Sequence, residues 1–130
     1  MSKRTVISAV SLFAAAATFA AGASAHHSHA MYEPAGPEGE VTITGTVTDY
    51  QWVNPHVWVY IEVAGEAGIT QAWVLESGSP VQLSSRGWRA DSMKPGDTIT
   101  ATVRRLKDGS YGGLLGSIEL SDGTILDDPG

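Results

Sequence analysis

Ser79-Pro80-Val81-Gln82-Leu83-Ser84-Ser85-Arg86-Gly87-Trp88 is the stretch of this chain that reads as helix among strands. Ser79 suits the cap, and Pro80 suits the first helical position, where a missing N–H costs nothing. Gln82 stands where a side chain can reach back to the cap backbone. Gly87 falls where a left-handed C-terminal residue belongs, with Trp88 after it to clasp the last turn. The spacing predicts a helix of about two turns, from Pro80 to Arg86, with Val81 and Leu83 facing the rest of the fold.

On its N-terminal side the period is two. Val41, Ile43 and Val47 alternate with Thr42, Thr44, Thr46 and Thr48, the pattern of a half-buried strand. Gly45 interrupts it and predicts a bulge or a sharp bend. Asn54-Pro55 ends the strand, because proline has no N–H for a ladder and restrains its predecessor. A second strand, about His56 to Val63, sets Val57, Val59, Ile61 and Val63 on one face. His56, Trp58, Tyr60 and Glu62 take the other. A turn at Glu66-Ala67-Gly68 leads to a third strand, about Thr70 to Leu75.

Beyond the helix, Lys94-Pro95-Gly96-Asp97 predicts a type II turn. A fourth strand follows, about Thr98 to Leu106. Lys107-Asp108-Gly109-Ser110 reverses the chain into a fifth, about Gly112 to Leu120. Asp122-Gly123 is a hairpin signal before a short last strand, Thr124 to Leu126. The class is all-β. Three strands, one short helix and then two or three strands resemble a small five- to six-stranded OB-like barrel, its helix between strands three and four plugging one end. A small β-sandwich is the alternative. No internal repeat is visible.

The chain has 130 residues, 8 Lys+Arg, 14 Asp+Glu and no cysteine. Lys3 and Arg4 precede an apolar run from Val6 to Ala21 that ends in Ala23-Ser24-Ala25, a small-x-small cleavage pattern. Residues 1–25 therefore read as a signal peptide. The run is Ala-rich and shorter than the roughly 20 residues a bilayer core needs, which argues against a stable membrane span. The expected product is soluble and periplasmic or secreted. It comprises a His-rich flexible arm over 26–39, marked by Pro34, Gly36, Pro37 and Gly39, and a barrel over 40–130. Loss of Lys3 and Arg4 moves the net charge from −6 to −8. Such a surface offers no footprint for nucleic acid or anionic membranes. Without cysteine there is no disulfide framework, zinc finger, iron–sulfur ligation or thiol nucleophile.

Three of the four histidines fall within four positions, His26, His27 and His29; the fourth is His56. Cleavage after Ala25 makes His26 the chain start. Its α-amino group (pKa about 7.7–8.0) and its imidazole (about 6.5) can then chelate one metal together near neutrality. Further imidazoles suit Cu(II), with zinc or nickel as alternatives. Met31 adds a thioether suited to Cu(I). Cleavage one residue earlier puts a histidine second and third, another arrangement for Cu(II) and Ni(II). Glu76, after the third strand, can be a carboxylate ligand or can orient an imidazole. The competing reading is a solvated tail that binds metals adventitiously, with His56 an ordinary surface residue and Glu76 a solvated strand end.

Trp52, Asn54, Trp58 and Tyr60 form a second candidate group, a platform for a peptide, a glycan or a periplasmic protein partner, with barrel packing as the plain alternative. Catalytic patterns are missing: there is no nucleophile elbow, no phosphate-cradling loop and no His-Glu-x-x-His. The expected function is non-enzymatic metal binding. A copper-dependent oxidase resting on His26 is a minor alternative.

His26-His27-Ser28, Asn54-Pro55-His56 between Trp52 and Trp58, Trp73 and Glu76, Ser79-Pro80 with Leu83 and Gly87-Trp88, Lys94-Pro95-Gly96-Asp97 and Lys107-Asp108-Gly109 together resemble a family of small exported bacterial proteins known only as a domain of unknown function. The resemblance implies a periplasmic β-barrel-like domain. It brings no activity with it, but supports treating His26, His27 and His56 with Glu76 as one candidate site. His29 adds a ligand to the paired histidines.

Overall fold

A computed structural model describes residues 29–128. The valine/isoleucine–threonine alternation forms β1 (Glu40–Gln51), which ends three residues before Asn54. β1 serves two neighbours. Glu40 to Thr46 pair with β4 (Thr98–Arg105), and Thr46 to Gln51 pair with β2 (Trp58–Ala64). The handover lies at Gly45, where a Cβ would stand 2.5 Å from the Glu62 carbonyl oxygen. Only glycine lets the two backbones approach so closely. The bulge itself comes later, between Val47 and Asp49, where Thr48 is the extra residue. It accentuates the strand's bend as a barrel wall requires.

β2 pairs with β3 (Thr70–Glu76), and β4 with β5 (Gly112–Leu120). A short parallel pairing of Val74 to Glu76 with Gly112 to Leu114 joins β3 to β5 and closes a five-stranded OB-like barrel. β6 (Ile125–Asp127) is an added antiparallel strand on β5. Val57, Val59 and Ile61 point inward and are fully buried with Leu75, Ile99, Ala101, Val103, Leu115 and Ile118. This is the single core that the alternating pattern anticipates.

The helix, α1 (Pro80–Ser84), lies between β3 and β4 in the chain. Its start has the anticipated form: Ser79 Oγ accepts from Gln82 N, and the Gln82 side chain accepts from Ser79 N at 3.0 Å. Its end is shorter than Arg86. Arg86 N and Gly87 N reach back three residues, to Leu83 O and Ser84 O, so the last turn tightens. Gly87 is left-handed at φ 90°, and Trp88 N closes on Leu83 O at 3.1 Å. Leu83 is fully buried, whereas Val81 is 79% exposed, against the expectation that both face the sheet. Residues two apart lie about 200° apart around a helix, so one turn of this length buries only one of them. Among the described residues no helix is long and apolar enough to cross a membrane.

Candidate functional site

His56 sits between β1 and β2, where Val57 N bonds Gly78 O and Ser77 N bonds Val57 O, each at 2.9 Å. This backbone clamp sets the imidazole against the end of β3. His56 Nδ1 lies 3.0 Å from Ser77 O and 3.5 Å from Glu76 Oε1. A carbonyl oxygen only accepts, so Nδ1 is the donor here; in the neutral ring that leaves the lone pair on Nε2. A carboxylate or carbonyl behind an imidazole is the usual way a metal-binding ring is oriented. The clamp is itself held from the far end of the chain. Asp128, buried, accepts from Ser77 Oγ and Gly78 N, both at 2.7 Å.

Glu76 is buried because the leading segment covers it. His29–Met31 form one 3-10 turn, and Tyr32 bridges to Leu106 beyond the end of β4. Glu33 N bonds Arg105 O at 2.8 Å, Lys107 N bonds Met31 O at 3.0 Å, and Lys107 Nζ bonds Ala30 O at 2.9 Å. Thus docked, Tyr32 donates its phenol proton to Glu76 Oε2. Burial, then that hydrogen bond and the nearby carboxylate charge, push the Tyr32 phenol well above its ordinary value of 10.0. The donor therefore stays protonated wherever the protein is folded near neutrality. Tyr32→Phe is expected to destabilise by about 1–3 kcal/mol, since it leaves a buried carboxylate oxygen short of a partner. Denaturant melts of the two proteins measure this; equal midpoints would show that the bond contributes nothing.

Cross-strand pairing explains the remaining neighbours. Trp58 is paired with Glu76 and Tyr60 with Val74, so these four side chains share the outer face of β2–β3. Glu76, Tyr32, Trp58 and the 56% exposed Met31 line one cavity of about 460 Å³. The His29 ring stands edge-on to Tyr32, centroids 6.4 Å apart. Trp52 belongs elsewhere, beside Tyr50 and in a separate cavity with Trp88 and Arg89. Asn54 is exposed, and Tyr60 is half-buried but does not line the Glu76 cavity. His26 and His27 lie outside the described residues, as does the leader. Among the described residues no three His, Asp or Glu side chains gather as a metal group. Sequence reasoning missed Tyr32 and Asp128. An aromatic inside an otherwise small and polar segment was the only signal for the first.

The chain was compared with known proteins. No curated protein and no solved structure matches it. A family model does match residues 14–116, which takes in the docked segment, His56, Glu76 and four of the five barrel strands in full. The chain belongs to the Family of unknown function (DUF6152).

Proposed function

We propose that the exported chain binds a transition metal, copper before zinc or nickel, in the bacterial periplasm. His26 chelates through its amine and ring, and His27 or His29 and His56 complete a nitrogen set. Glu76 serves behind His56 as its orienter, and Met31 stands near as a soft donor for Cu(I). One observation carries the reading: Tyr32 of the leading segment is bonded to the same carboxylate that lies 3.5 Å from the His56 ring. Only six residues of chain, at most about 20 Å, separate His26 from this docked Tyr32. A ring protonated at Nδ1 suits metal ligation through Nε2.

The test uses the processed protein with His26 at its N-terminus, titrated with Cu(II) against a competing chelator. Acetylation of the His26 α-amino group removes the amine as a ligand without moving any histidine, and is expected to weaken binding about tenfold or more. Equal affinity in the two forms refutes amine chelation. The half-buried Trp58–Tyr60 face as a partner platform is a second reading, favoured by the cavity that Trp58 lines.

A further inference from the structure

Three larger hollows mark the described surface, and they differ in charge. The one of about 890 Å³ between residues 33–39 and the β4–β5 turn has Glu33 and Glu38 facing Arg105 and Lys107, so it selects neither sign. The one beside Trp52 likewise carries Arg89 with Asp91, which are ion-paired at 3.2 Å. The third, about 460 Å³, lies between the docked leading segment and the outer face of β2–β3. Its walls are Met31, Val74, Leu106 and three aromatic side chains, Tyr32, Trp58 and Tyr111. Glu76 is its one acidic residue, and no lysine or arginine lines it among the described residues.

We propose that this cavity binds a small organic ammonium ion. Its volume falls within the roughly 300–1,000 Å³ usual for small-molecule pockets. A negative carboxylate at the wall repels anions and adds little for a neutral guest. Apolar walls cannot replace the water shell of a small inorganic cation, which is expensive to strip. An alkylammonium has its charge spread beneath methyl groups. It gains from Glu76 by charge and from the aromatic side chains by cation–π attraction. Tyr32 bonds Glu76 Oε2 and brings no positive charge of its own, while Glu76 Oε1 lies 3.5 Å from His56 Nδ1. The inference goes beyond metal binding and does not rest on it.

Calorimetry on processed protein stripped of metal with EDTA tests the proposal, using choline chloride and its uncharged isostere 3,3-dimethylbutan-1-ol as probes. Choline is expected to bind about tenfold or more tightly than the alcohol. Glu76→Gln should remove that preference. Tyr111→Ala, at a side chain 47% exposed and therefore dispensable to the core, should weaken choline about fivefold. Equal binding of the two probes, no heat with choline, or a charge preference that survives in folded Glu76→Gln overturns it. If Glu76→Gln fails to fold, choline affinity unchanged in Tyr111→Ala overturns it instead. With no metal in the cell, failure of the copper reading leaves these outcomes untouched.

Discussion

Replacing Trp88 with alanine is expected to cost about 3–5 kcal/mol, the usual range for truncating a fully buried aromatic. Trp88 is 1% exposed and is the largest of the fully buried side chains. It does three things at once. Its backbone N–H closes the helix on Leu83 O, its ring fills the core beneath α1, and its indole N–H reaches the Asp127 carbonyl at 3.0 Å. Truncation leaves a cavity, and it also releases β6, which is only three residues long. The loss is comparable with much of the whole stability of a small domain, about 5–15 kcal/mol, in a chain with no disulfide to limit the damage. Val81→Ala is the control: a neighbouring helical residue, 79% exposed, expected to change stability by less than about 0.5 kcal/mol. Urea denaturation of both variants decides the matter, and similar midpoints would contradict the role given to Trp88.

His56→Ala carries the second large effect. If the ring ligates from Nε2, its loss should reduce Cu(II) affinity about a hundredfold, roughly 2.7 kcal/mol. Glu76→Gln keeps the ring and removes only the charge behind Nδ1. It should cost less, within the 10–100-fold usual for the orienting shell of a metal site. A graded series, with His56 more costly than Glu76, separates a folded site from a tail that binds through His26 and His27 alone. In the tail case neither substitution changes the affinity.

The features legible in the sequence are those fixed by neighbours along the chain. Ser79, Gln82 and Gly87 sit within one or two turns of the backbone groups they satisfy, so the helix and its caps could be read directly. Gly96 and Gly123 take the positive φ their turns require, 95° and 85°. Alternation set which face of β2 is buried, and with it placed Trp58 and Tyr60 on the outside. The features that escaped depend on distant partners. Tyr32 meets Glu76 across 44 residues and Asp128 meets Ser77 across 51, and no local pattern encodes either meeting. The same limit explains Trp52 and Trp58. They are close in sequence, but the chain turns at Asn54-Pro55 between them, and they line different cavities. The expected arm over 26–39 followed from its prolines and glycines, and these do not forbid the ladder-like contacts that residues 31–33 make with the end of β4 and the turn after it.

The most direct measurement is electron spin echo modulation of the processed protein loaded with one equivalent of Cu(II), with and without His56. Ligation by His56 predicts that His56→Ala removes the modulation of one remote imidazole nitrogen while the barrel stays folded. Identical modulation in the two proteins would contradict it.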